Sequence, residues 1–155
     1  MTKAIITSII FDWKRTLYDP DNRVLLDGTE ELLSALGKHN VPLILVGKGG
    51  NDMYNEVKRL NIGRYFKTIE FREGPKEDIL FAPFVPESDP GSVLFIGDRT
   101  RSELAVGKKL GTTTIWVRQG KFADEAPSHP GENPDYTVKS LFEVKELLAY
   151  TFGLG

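Results

Sequence analysis

The chain contains no cysteine, so neither a disulfide framework nor a thiolate metal site is open to it. It also lacks an excess of either charge. With 20 Lys and Arg against 22 Asp and Glu, its net charge of -2 gives no electrostatic reason to bind nucleic acid or a membrane surface. Long hydrophobic runs are missing as well. The apolar stretch near the N-terminus stops at Asp12, too short to span a bilayer, and no small-residue cleavage site follows it. In the absence of such signals the expected location is cytoplasmic. There is no repeat, no low-complexity tract and no shift of composition that would mark a second domain. A chain of 155 residues, 40% hydrophobic and 27% charged, suits one compact domain, expected over residues 1–155.

What the sequence does contain is alternation. Four apolar, β-branched runs stand out: Ala4–Phe11, Leu43–Val46, Val93–Ile96 and Thr113–Val117. They are nearly continuous, as strands covered on both faces of a parallel sheet are. Weaker strand candidates are Lys67–Phe71 and Tyr136–Val138. Helical spacing lies between them, over Thr29–His39, Asp52–Leu60, Ser102–Leu110 and Ser140–Ala149, the last opened by a serine suited to capping. Gly37 weakens the final turn of the first helix. Strand followed by helix predicts an α/β fold, a Rossmann-like open sheet that is mostly parallel with helices on both faces. Ligands of such sheets gather beyond the carboxyl ends of the strands. The segments to inspect are therefore Asp12–Thr16, Gly47–Gly50, Arg72–Lys76, Gly97–Glu103 and Arg118–Lys121.

Two aspartates directly follow apolar strands, Asp12 in "IIFDWKRTLYD" and Asp98 in "VLFIGDRTRSEL". If those strands are neighbours, two hard oxygen ligands meet at one sheet edge, which suits Mg²⁺ and a substrate phosphate. An aspartate in that place is as often a turn former or a helix cap. The stretch "GKGGND" has two readings too. Its successive N–H groups and Lys48 could cradle an anion, or it could be a turn capped by Asn51 or Asp52. The spacing is not that of a Walker A loop. Arg99 and Arg101 stand where they could meet an anionic substrate, though a salt-bridged role weighs more. His39 and His129 fall in polar segments and read as surface residues.

Taken in order, these segments resemble the haloacid dehalogenase-like (HAD) superfamily. "FDWKRTLYD" looks like its first motif, "VPLILVG" occupies the place of the second, "GPKEDIL" looks like the third and "VLFIGDRTRSELAVGKKLGTTTIWVRQG" is similar to the fourth with its following helix and strand. "NPDYTVKSLFEVKELL" resembles the last strand and helix. The resemblance implies that Asp12 is the nucleophile, attacking phosphorus to give an aspartyl phosphate. It also implies that Thr16 supports that loop, that Lys76 balances charge, and that Mg²⁺ is held by Asp12, the Lys14 carbonyl, Asp98 and Glu103. Gly47, Lys48 and Arg99 take the substrate-binding positions.

Two positions depart from the family pattern. Lys14 stands where the family has an aspartate that protonates the leaving oxygen and then activates water. An ammonium donates hydrogen bonds and accepts none, so it can serve as acid or charge but not as base. Gly47 stands where the family has Ser or Thr, which removes a hydroxyl from the phosphate. Two functions follow: a Mg²⁺-dependent phosphohydrolase slowed by Lys14, or a HAD-fold binding or regulatory protein with little turnover. A receiver domain is discounted because the third strand candidate ends at Phe71 and Arg72, with no acceptor aspartate. The intervals from Asp12 to Gly47 and from Gly47 to Lys76 are each filled by one helix and one strand. Neither leaves the about 40 residues that a folded cap needs. An uncapped site implies cover from elsewhere: a phosphorylated substrate that is itself a macromolecule, or a second subunit in a homodimer.

Overall fold

The computed structural model describes residues 5–155. Its centre is a six-stranded, wholly parallel sheet made of β1 (Ser8–Phe11), β4 (Leu43–Lys48), β5 (Thr68–Arg72), β6 (Val93–Gly97), β7 (Thr113–Val117) and β8 (Tyr136–Val138). The strand order is β5-β4-β1-β6-β7-β8. Ile9, Ile10 and Phe11 are all fully buried, which requires cover on both faces, and β1 accordingly lies inside the sheet. Ile9 pairs with Leu43 on one side and Leu94 on the other. The chain winds outward from β1 through β4 to β5, then returns to the other side of β1 for β6, β7 and β8. The reversal of strand order therefore falls beside β1, where a ligand crevice is expected.

Five helices cover the sheet: α1 (Thr29–Leu36), α2 (Asn51–Arg59), α3 (Asp78–Phe81), α4 (Glu103–Lys109) and α5 (Leu141–Phe152). Side chains alternate across each strand, and so the core divides in two. Ile9, Phe11, Leu45 and Ile96 pack with Leu32, Leu33 and Leu36 of α1, Val57 of α2, and Val144 and Leu148 of α5. Ile10, Val46 and Phe95 pack on the opposite face with Leu80 and Phe81 of α3 and Leu104 of α4. This is the expected α/β fold.

Several boundaries differ from expectation. Ala4 lies outside the described residues, and strand pairing begins at Ser8, after Ile5, which is 82% exposed. Helix α1 stops at Leu36 because Gly37 closes it, donating its N–H to Leu33 O. The Ser140 hydroxyl caps α5 by accepting from the Glu143 N–H, and Gly153, at φ 71, ends it in the left-handed region. The stretch after Leu17 forms a small hairpin, β2 (Tyr18–Asp19) against β3 (Val24–Leu25), with the Asp19 carboxylate accepting from the Asp21 and Asn22 N–H groups in its turn.

Candidate active site

The carboxyl ends of β1 and β6 are adjacent, and this brings Asp12 and Asp98 together. The Asp12 N–H bonds to Ile96 O at 3.0 Å, carrying the pairing one residue past β1. The chain then turns sharply. Trp13 O accepts the N–H groups of Thr16, Leu17 and Tyr18, and Arg15 adopts φ 64, unusual for a residue with a side chain. The Lys14 carbonyl is left with no donor among the described residues. The turn presents the Thr16 hydroxyl 3.1 Å from Asp12 Oδ2 and 3.3 Å from Asp98 Oδ1. From the loop after β5, Lys76 Nζ reaches Asp12 Oδ1 at 2.7 Å and Glu103 Oε2 at 3.1 Å.

Glu103 opens α4 and is fully buried. Its Oε1 accepts from both the Asp98 and Arg99 N–H groups at 3.1 Å, which fixes the loop carrying Asp98. Gly97 makes this possible, since a Cβ there would meet Glu103 Oε1 at 2.6 Å. One carboxylate oxygen from each of Asp12, Asp98 and Glu103 lies within 4.8 Å of the others. Burial, followed by the charges of Asp12 and Glu103, raises the Asp98 carboxyl to about 10. Burial raises Glu103 as well, against the pull of Lys76. Burial lowers the Lys76 ammonium, yet Asp12 and Glu103 together hold it above the usual lysine range.

Three buried carboxyl groups thus crowd around one ammonium. Asp98 Oδ2 is buried and has no hydrogen-bond partner. An orphaned buried acceptor in an all-oxygen donor set fits a hard divalent cation such as Mg²⁺.

Around this floor lies a cleft of about 690 Å³ whose lining includes Lys14, Arg15, Lys48, Arg99 and Phe122. Lys48 is exposed at its edge. Arg99 reaches the cleft but is held, its Nη2 bonding Glu125 Oε2 at 2.9 Å and its guanidinium lying 4.1 Å from the centre of the Phe122 ring. The salt-bridged reading of Arg99 thus describes its geometry. Arg101 likewise donates from Nε to Ala126 O.

Gly47 requires a correction. It lies within β4, outside the cleft lining, where an added Cβ would come 2.8 Å from Trp13 Cβ and 3.0 Å from Phe71 Cε1. It is a glycine because Trp13 packs against its backbone. The glycine loop after it is not an open cradle either. The Gly49 N–H bonds to Arg72 O, and Asp52 Oδ1 accepts from both Gly50 and Met53, so the helix-start reading of "GKGGND" prevails. Trp13 itself is fully buried, stacked on Tyr18 at 4.8 Å, and its Nε1 points to Met53 Sδ. It packs beneath the loop and does not line the site.

Some contacts had no visible signal in the sequence. Gln119 Nε2 donates to Thr16 O at 3.1 Å, bracing the turn after Asp12 from the end of β7. Its only cue was its position after a strand. Glu125 holds Arg99 and also accepts from the Arg101 N–H, from within an irregular segment.

Residues 47–144 match the HAD-hydrolase-like family. A haloacid dehalogenase-like hydrolase domain-containing protein of Arabidopsis thaliana is 25% identical over 148 residues, covering 87% of this chain and 57% of the relative. The phospholysine phosphohistidine inorganic pyrophosphate phosphatase of Homo sapiens is 28% identical over 116 residues, covering 68% of this chain and 43% of the relative. The chain spans about half the length of the curated relatives it matches. Among solved structures, the magnesium-bound HAD-hydrolase YfnB of Bacillus subtilis aligns with a TM-score of 0.67 at 24% identity, over 81% of this chain and 57% of that one. A HAD-superfamily hydrolase from Ehrlichia chaffeensis aligns with a TM-score of 0.73 at 16% identity, over 97% of this chain and all of the other. These two structures share the fold. With the family match spanning more than half of its length, the chain belongs to the HAD-like hydrolases.

Proposed function

We propose that this protein is a Mg²⁺-dependent phosphohydrolase that works through an aspartyl phosphate on Asp12. The observation that carries the reading is the buried cluster of Asp12, Asp98, Glu103 and Lys76, together with the orphaned Oδ2 of Asp98. Burying four ionisable groups in contact costs stability unless the charge is put to use. Asp12, Asp98, Glu103 and the free Lys14 carbonyl would hold Mg²⁺, which when bound neutralises phosphoryl oxygens and polarises the phosphorus.

The protein groups have separate tasks. The Asp12 carboxylate attacks phosphorus, and Lys76, 2.7 Å from its Oδ1, holds it in place. Thr16 holds the carboxylate's orientation. Glu103 also positions the Asp98 loop through Oε1 and Lys76 through Oε2. Lys14 offers cationic charge but no proton acceptor, so water attack on the aspartyl phosphate goes without a base from that position. The slow step is therefore loss of the phosphoryl group from Asp12.

Steady-state release of phosphate from p-nitrophenyl phosphate in Mg²⁺, preceded by a burst of p-nitrophenol, tests this. Asp12→Asn should abolish both phases. Turnover that persists in Asp12→Asn would show that another group is the nucleophile.

A second reading, a HAD-fold binding protein with little turnover, is favoured by Lys14 and by the tight Trp13–Gly47 contact, which leaves no room for the family hydroxyl. A phosphoryl mimic such as beryllofluoride would bind in both cases, and only the burst separates them.

A further inference from the structure

We infer that Lys14, Arg15 and Lys48 form an anion subsite beside Asp12 that takes the second phosphate of a phosphoanhydride. The inference rests on Asp12 as nucleophile and names the substrate class for that same site.

All three side chains line the cleft that contains Asp12. Among the described residues none of them has a carboxylate within ion-pair distance. The other cations at the cleft are differently placed. Lys76 is committed to Asp12 and Glu103, Arg99 to Glu125, and Arg101 donates to Ala126 O. Three cations without an ion-pair partner, on a cleft that also holds Asp12 and Asp98, form a positive rim that draws in anions. Arg15 is moreover held at φ 64, its N–H bonded to Tyr18 O. Strained backbone that the surrounding bonds enforce is typical of ligand-binding turns.

The terminal phosphate, at Asp12, already meets Lys76 and the cation site. Further positive charge has no partner on a simple alkyl phosphate, whose remaining part is neutral. A diphosphate supplies that partner. Asp12 forms a bond to the terminal phosphorus, the bond from that phosphorus to the bridging oxygen breaks, and the electron pair stays on the bridging oxygen. The group that leaves is a phosphate, a much weaker base than an alkoxide, so at neutral pH it departs as an anion with less need of a proton from an acid. Cationic charge from Lys14 then takes over the task that an acid performs for an alkoxide.

The inorganic and nucleotide forms of a diphosphate share this chemistry, and titration calorimetry with non-hydrolysable probes separates them. Methylenediphosphonate and adenosine 5′-(α,β-methylene)diphosphate are compared with methylphosphonate, with Mg²⁺ in excess and at low salt. At least one diphosphonate should bind about ten-fold or more tightly than methylphosphonate, and the stronger of the two names the source. The double substitution Arg15→Ala and Lys48→Ala, at positions outside the core, should erase that gap while circular dichroism stays native. Equal or undetectable binding of all three probes, or a gap that survives the double substitution, overturns the subsite. Because the readout is binding, this result is independent of whether Asp12→Asn abolishes turnover.

Discussion

At Lys14 and Gly47 single residues decide how far the family chemistry extends. If Lys14 removes the base, Lys14→Asp should restore it and speed phosphate release from p-nitrophenyl phosphate by about ten-fold or more. A variant no faster than the native chain would place the slow step elsewhere. Gly47→Ser returns the missing hydroxyl but forces its Cβ against Trp13, 2.8 Å away. We expect a loss of about 1–3 kcal/mol in urea unfolding, with no gain in activity. Asp12, Asp98 and Lys76 were readable because each follows a strand or sits in a family motif. Gln119 and Glu125 were not, since they act on backbone groups of distant turns and belong to no periodic pattern. Gly47 was misread because the tryptophan that crowds it is a neighbour in space, 34 positions away in sequence from the contact it makes.

Among the elements, the hairpin β2–β3 is joined to α2 through Glu56 and through Arg59, which donates to Arg23 O. Glu56 is buried on α2 and accepts from Tyr18 Oη at 2.6 Å, Arg23 Nη2 at 2.8 Å and Arg59 Nη2 at 2.7 Å. Arg59, then Arg23 and Tyr18, hold its carboxyl well below the usual carboxylate range. A carboxylate depressed in the folded state contributes stability above its unfolded pKa, about 4.3, and loses it as pH falls toward the folded value. Urea midpoints should therefore drop on acidification below about pH 4.3, and Glu56→Gln should flatten that slope while lowering the midpoint at pH 7. An unchanged acid slope would mean that the three donors do not grip Glu56 in solution. The long apolar strands and amphipathic helices were legible because burial imposes a period. The hairpin was not, because two-residue strands are too short to show one, and α3 hides among prolines between Pro75 and Pro86.

The proposed cation site is a property of the whole molecule, since its ligands follow β1 and β6 and open α4, and they come together only in the folded chain. Mg²⁺ at a hundred times its Kd should add about 2.7 kcal/mol to folding, seen as a rise in Tm that EDTA reverses. Without a cation, Asp98 keeps its proton far above the ordinary aspartate range. Binding must expel that proton, so Mg²⁺ affinity should rise with pH, and calorimetry in buffers of different ionisation enthalpy should detect proton release. Affinity that does not change with pH would count against Asp98 as a ligand. The cleft is also a matter of the whole assembly. The hairpin, α1, α2 and β5 fill the intervals in which a cap would sit. We propose that a second copy or a phosphorylated macromolecule covers it, and light scattering on the purified chain tests the first.

The position of β1 has one more consequence. Synthesis delivers Ser8–Phe11 well before Val93–Gly97, yet the two are partners, and Ser8–Phe11 occupies an inner place in the sheet. Until they pair, Ile9, Ile10 and Phe11 have an open edge that invites association with other chains. Closing so long a loop is slow, and it is the same step that brings Asp12 to Asp98. A chain that has not yet reached Gly97 holds Asp12 without Asp98, and the pairing that brings them together is also the one that encloses Ile9, Ile10 and Phe11.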